Sequence, residues 1–379
     1  MKRHAAYDPP EYLAWSRDDV AVREFDEACA RDPERRRIID ALTDDDRRAV
    51  YRGLLRNRLS DIALKRLVRQ GVISKAWLGS GEEAATIGPV HALRRGKGGD
   101  VVAPMIRNSG ACHEMGMPIA DILRAYMATA DGPSRGRDGH YGSFADGVIP
   151  PISHVGDMVP VVTGIALSFA VRGEDRVAMT WIGDGATKTG TVHEGLNFAA
   201  VRKVPAIFII QNNQVALGTR LDQHHVKAGD GNFADWPTAY GVWGGVFDGN
   251  NVLDAFALTR LAADRCRRGE GPALLVAETF RMGGHATHDE AEARRTFDPG
   301  MFEHWGRRDP IALYEEYLVA HGVTRDQLEE IERDVDAEIE GAEREAMQSR
   351  NERMPQAVTA LNGVYAAYGA AEDSRTNGR

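Results

Sequence analysis

Gly183-Asp184-Gly185, followed 29 residues after Asp184 by Asn213 in the pair Asn212-Asn213, organises the reading of this chain of 379 residues. Before the glycines, Val177-Ala178-Met179-Thr180-Trp181-Ile182 predicts a strand. After them, residues 192–201 predict a helix, and Ala206-Ile207-Phe208-Ile209-Ile210 a second strand. The order is strand, glycine turn with a carboxylate, helix, strand, amide pair. Two parallel strands joined by a helix end on the same edge of a sheet, so Asp184 and Asn213 can reach one cation despite their separation. Magnesium takes near-octahedral oxygen ligation, commonly from one or two carboxylates plus phosphate oxygens. One Asp, one Asn amide and a backbone carbonyl leave room for a diphosphate.

Outward from that unit, residues 101–103 and 273–277 read as further strands, and the strand–helix alternation runs from about 75 to 290. It implies an α/β fold: a mostly parallel sheet with helices on both faces. Residues 1–42 are polar, with Pro9, Pro10 and Pro33, and predict an N-terminal helical arm over the surface. Thr43 caps a helix with Asp44, Asp45 and Asp46 in its first turn, opening the α/β domain at 43–308. Residues 132–151, rich in Gly, Asp, Ser and Arg, form a long ordered loop. Residues 309–371 turn helical again, with Leu328, Ile331, Val335 and Ile339 on a heavily acidic, solvated helix, and disorder is expected over 372–379.

The totals narrow the function. A net charge of −9 argues against a nucleic-acid surface. Cys29, Cys112 and Cys266 are scattered, which indicates neither a disulfide framework nor a zinc site. The first residues carry no signal peptide or presequence pattern, and no run has the length of a membrane helix. A cytoplasmic protein is the expectation.

The candidate polar residues share one property. Arg107, Asp184, Asn213, and Arg281 with His285 each follow a predicted strand. Ligands of open parallel sheets bind at those carboxyl ends. Gly185 and Ala186 add backbone N–H groups for an anion, and two arginines can fork onto phosphate oxygens.

Gly183-Asp184-Gly185 with the trailing Asn-Asn resembles the magnesium- and diphosphate-binding motif of thiamine-diphosphate enzymes. The wider chain, from about Tyr51 to Gly322, is similar to the alpha subunit of the two-subunit 2-oxo acid dehydrogenases. The likeness includes Gly81-Glu82-Glu83-Ala84, Ile106-Arg107, Gly139-His140-Tyr141-Gly142, Val159-Pro160, Asp248-Gly249, Arg281-Met282-Gly283-Gly284-His285, and Asp309-Pro310 preceded by Trp305. It implies thiamine diphosphate and Mg2+ as cofactors, with the metal held by Asp184, Asn213 and the carbonyl of Val215. It places Arg107, Gly183, Gly185, Ala186, Arg281 and His285 around the diphosphate, Ser153 and Val155 near the aminopyrimidine ring, and His285 as a catalytic proton donor. The implied reaction is decarboxylation of a 2-oxo acid with acyl transfer to a lipoyl group. The implied partners are a beta subunit, in an α2β2 heterotetramer, and a lipoyl acyltransferase.

The chain departs from that pattern in places. Ile106 and Val215 stand where relatives carry Tyr, Trp77 where they often carry His, and Ser109 and Ala111 where many carry histidines. Serines phosphorylated in animal relatives fall on Ala286 and Ala293, so that regulation should be absent. Residues 139–142 and Trp305 look like branched-chain relatives, whereas Gly283-Gly284-His285 looks like pyruvate or acetoin relatives.

Other readings are weaker. Thr187 occupies the place of the second P-loop glycine. His285 and His288 lack a third zinc ligand nearby. His224, His225 and His140 read as surface or loop histidines. A nicotinamide-dependent Rossmann oxidoreductase lacks a convincing GxGxxG turn, and a non-catalytic scaffold would keep the core and lose the site.

Overall fold

The computed structural model describes residues 1–226 and 233–360. Its strands are β1 (Val101–Ala103), β2 (Ala178–Gly183), β3 (Ala206–Asn212), β4 (Val215–Ala216), β5 (Thr219–Arg220), β6 (Trp243–Asp248) and β7 (Ala273–Glu278). Five of them make one sheet in the spatial order β1-β2-β3-β7-β6, and every neighbouring pair is parallel. The short β4 and β5 form a separate antiparallel hairpin. The expected α/β architecture holds. Residues 361–379, including the stretch expected to be disordered, lie outside the described residues.

Both faces of the sheet are covered, and the strands alternate between two cores with a period of two. Met179, Trp181, Ile207, Ile209 and Leu275 pack on one side with the helices Glu83–His91, Ser109–Met115 and Val252–Arg267. Ala178, Phe208, Ile210, Leu274 and Val276 pack on the other with Met158–Arg172 and Gly190–Arg202. Strands buried on both faces read as continuous apolar runs, which is why β2, β3 and β7 stand out in the sequence. The edge strand β6 does not. It contains Gly244-Gly245, which lowers strand propensity. A Cβ on Gly244 would sit 1.9 Å from the carbonyl oxygen of Leu274, so the close approach of β6 to β7 requires glycine there.

Thr43 caps the long helix Asp44–Arg69 as expected: Thr43 Oγ1 accepts from Asp46 N at 3.1 Å, and Asp46 Oδ2 accepts from Thr43 N at 2.9 Å. The acidic helix Arg325–Glu352 lies along it, burying Leu328, Ile331, Val335 and Ile339. Its acids are not only solvated. Arg52, Arg56 and Arg66 pair with Asp334, Glu338 and Glu343 across the two helices.

The first 42 residues are more than a covering. They form three short helices whose Tyr12 and Phe25 are buried. Arg58, on the Asp44–Arg69 helix and 1 % exposed, ties them to the core. It bonds Glu83, donates to Asp309 Oδ1 at 3.2 Å, faces Asp8 at 3.8 Å, and lies over the Tyr12 ring at 4.7 Å. Removing one partner of a buried ionic cluster strands the others, at a cost of roughly 3–5 kcal/mol. Arg58→Met should therefore lose about that much unfolding free energy in urea at pH 7. A loss under about 1 kcal/mol would show that the cluster is not a staple.

Candidate active site

The site is assembled on Glu82. Gly81 precedes it at φ +94, where a Cβ would meet the Phe280 carbonyl oxygen at 2.6 Å, so this sharp entry to the helix Glu83–His91 needs glycine. Glu82 is fully buried. Its Oε1 accepts from Gln211 Nε2 and, at 2.8 Å, from Asn213 Nδ2, while its Oε2 lies 3.4 Å from Arg107 Nη1. Gln211 is itself held by Asn108, whose Nδ2 donates to Gln211 Oε1 at 2.9 Å and to Thr86 Oγ1 at 2.7 Å. A carboxylate only accepts, so Glu82 settles the orientation of the Asn213 amide. The amide oxygen is left on the opposite side, where Val215 N donates to it at 3.3 Å.

Asp184 follows β2, and the β2–β3 register sets Gly183 beside Gln211. Asp184 Oδ1 accepts from Gly185 N at 2.9 Å, but Oδ2 is buried without a hydrogen-bond partner among the described residues. Burial pushes this carboxyl up to about 6, helped by Glu82 and opposed by the Gly185 N–H, Arg281 and Arg107. A Cβ on Gly185 would stand 2.5 Å from Ala216 Cβ, so the β4–β5 hairpin closes over the turn. Asp184 and the Asn213–Ala216 segment thus meet at one sheet edge.

Arg107 and Arg281 complete that edge. Arg281 donates to Leu217 O at 2.8 Å and to Gly283 O at 3.2 Å. Burial brings its guanidinium down to about 10, and the charge of Arg107 adds to the fall. Two mutually repelling guanidiniums gain from an anion between them. Arg107 Nη2 lies 3.1 Å from His285 Nδ1. A guanidinium only donates, so Nδ1 is the acceptor and the imidazole proton sits on Nε2. Burial, then Arg107 and Arg281, hold His285 down to about 4, so the ring is neutral at neutral pH.

The five strand-end residues Arg107, Asp184, Asn213, Arg281 and His285 therefore come together. Ser153 and Val155 are exposed on the loop before Met158–Arg172. Ser153 Oγ is 3.2 Å from His140 Nε2, and Gly156 brings this loop against Thr189, next to the Gly185–Lys188 turn. Gln211 and Asn108 escaped the sequence reading, and Glu82 entered it only within the motif Gly81-Glu82-Glu83-Ala84, although its place just before the run Ala84-Ala85-Thr86-Ile87 sets it beside a buried helix. His224 corrects that reading. Both of its ring nitrogens are buried, and Nε2 lies 3.6 Å from Asp184 Oδ2.

With this arrangement in view, residues 51–355 match the family described as "Dehydrogenase E1 component". The chain belongs to that family. Its relatives include the 2-oxoisovalerate dehydrogenase subunit alpha of Bacillus subtilis, 32% identical over 76% of this chain and 86% of that one. The 3-methyl-2-oxobutanoate dehydrogenase subunit alpha of Mycobacterium tuberculosis is 32% identical over 78% and 76%. The human pyruvate dehydrogenase E1 component subunit alpha, somatic form, is 30% identical over 80% and 76%. The resemblance to 2-oxo acid dehydrogenase alpha subunits is thereby established, and the sequence of this E1 component gives no support to a Rossmann oxidoreductase.

Burial holds the Asp184 carboxyl up at about 6 against an ordinary 3.8. An acid raised on folding costs nothing while protonated below 3.8, and its penalty grows as pH rises to about 6. Asp184→Asn should then raise the unfolding free energy of the cation-free chain by on the order of 1–3 kcal/mol at pH 7 and far less at pH 4. An equal gain at both pH values would contradict this origin. For His285, NMR titration should find a midpoint near 4 that rises in Arg107→Leu; an unmoved midpoint would detach Arg107 from it.

Proposed function

We propose that this E1 alpha chain binds the diphosphate of thiamine diphosphate through Mg2+ and takes part in oxidative decarboxylation of a branched-chain 2-oxo acid, with acyl transfer to a lipoyl group. One observation carries the reading: the buried Oδ2 of Asp184, without a hydrogen-bond partner among the described residues, at the same sheet edge as Asn213 and under the charge of Arg281 and Arg107. A divalent cation satisfies that oxygen, and a diphosphate satisfies the arginines.

Asp184, the Asn213 amide oxygen and the Val215 carbonyl hold the metal. Arg107, Arg281 and the backbone of Gly183, Gly185 and Ala186 hold the diphosphate. Ser153 and Val155 face the aminopyrimidine ring. When bound, thiamine diphosphate supplies the nucleophilic carbon and electron sink for loss of carbon dioxide. His285, with its proton on Nε2, donates to the substrate oxygen, and Arg107 keeps that tautomer. Glu82 is a positioning residue that holds Asn213 and Arg107.

A beta subunit supplies the remainder of the site. Supporting this, the outward faces of Met158–Arg172 and Gly190–Arg202 expose Val161, Val171, Phe198 and Val201 by 41–75%. An α2β2 heterotetramer in the cytoplasm, working with a lipoyl acyltransferase, is the assembly we propose. The names of the Bacillus and Mycobacterium relatives favour branched substrates; the human relative keeps pyruvate as the second reading.

The test is to assay the chain with and without its beta partner, with thiamine diphosphate and MgCl2, on a panel of 2-oxo acids. The expected result is no turnover alone, and in the complex a kcat/KM at least about tenfold higher for branched acids than for pyruvate, the scale of one or two methylenes in a pocket. Robust turnover by the isolated chain would defeat the shared site, and a preference for pyruvate would reverse the substrate.

A further inference from the structure

We propose that His224 is a further ligand of the divalent cation, giving the site a nitrogen donor and a preference for manganese or cobalt over magnesium. The inference rests on the reading that Asp184 holds the cation, and adds to it a side chain from the hairpin beyond.

The chain leaves Asn213, pairs Val215 with Arg220, and enters the one-turn helix Leu221–His224. Leu221 N donates to Gln214 O at 3.1 Å, which folds this helix back toward the metal ligands. His224 Nε2 thereby stands 3.6 Å from Asp184 Oδ2. Among the described residues, neither ring nitrogen of His224 nor Asp184 Oδ2 has a hydrogen-bond partner, and all three atoms are buried. The spacing is too long for a hydrogen bond. It is within about 0.1 Å of the separation of two atoms that share an ion: ligands about 2.1 Å from one cation, at the angles of octahedral or tetrahedral coordination, stand roughly 3.0–3.5 Å apart.

A competing occupant is close by. Lys188 sits beside Asp184, but its Nζ lies 2.7 Å from His225 Nδ1 and over the rings of Phe233 and Trp236 at 5.1 and 5.5 Å. Its ammonium is thus engaged by other groups, and no cationic side chain among the described residues bonds Asp184 Oδ2. Magnesium favours all-oxygen shells, whereas imidazole suits later transition metals, whose affinity climbs from manganese to cobalt. A histidine in place of an oxygen ligand tilts the selection that way.

The experiment uses the full chain, untagged and assembled with its beta subunit, with thiamine diphosphate and MnCl2. Pulsed electron paramagnetic resonance reads whether the bound manganese couples to a nitrogen-14 nucleus. Competition by CoCl2 and MgCl2 then gives the selectivity. We expect imidazole-type coupling in the unmodified protein, its loss in His224→Leu, and a cobalt-to-magnesium affinity ratio at least tenfold lower in that variant. Manganese that binds, is lost in Asp184→Ala, and shows no nitrogen coupling would overturn the role of His224 while leaving Asp184 as ligand. Manganese binding unaffected by Asp184→Ala would overturn both. Because the coupling is read on the unmodified protein, a misfolded variant cannot hide the answer.

Discussion

One buried carboxylate sets the geometry of the rest. Glu82 has no access to water, and it holds Gln211, Asn213 and Arg107 at once. A buried charge is tolerable only when its lone pairs are filled, so its three partners have little freedom to move. That demand turns the Asn213 amide and keeps a guanidinium near the sheet edge. The next residue, Glu83, points into the separate cluster with Arg58 and Asp309. Two consecutive acids thus brace the site from one side and the N-terminal helices from the other. The sharp turn at Gly81 makes both directions accessible.

The parallel sheet does the remaining positioning. Ends of β1, β2, β3 and β7 lie side by side, so residues up to 178 positions apart, such as Arg107 and His285, touch. The environment leaves Asp184 poorly satisfied and sets two arginines against each other. Such local frustration is expected where a ligand completes the structure. His285 is the converse case, a ring whose tautomer is already chosen before anything binds.

Much of this was legible in the residues. Fully buried parallel strands announce themselves as apolar runs, and β2, β3 and β7 fall within one residue or two of their expected ends. Asp184 and Asn213 were legible because glycine turns and amide pairs have few other reasons to follow such strands. β6 was not, because Gly244 answers a backbone contact with Leu274 that no periodicity encodes. Glu82 could be seen as a motif but not as a hub, since its partners come from positions 107, 211 and 213. His224 reads as a surface or loop histidine for a related reason: the hairpin is polar, and only its fold-back over the Gly185 turn half-buries the residue and covers its two ring nitrogens.

The most direct measurement is a crystal structure of the chain with its beta partner, thiamine diphosphate and MnCl2, with anomalous data at the manganese edge. The account predicts one manganese peak within about 2.2 Å of both Asp184 Oδ2 and the Asn213 amide oxygen, bridging to the diphosphate. A peak bound elsewhere, or a diphosphate seated without contact to either side chain, would contradict it.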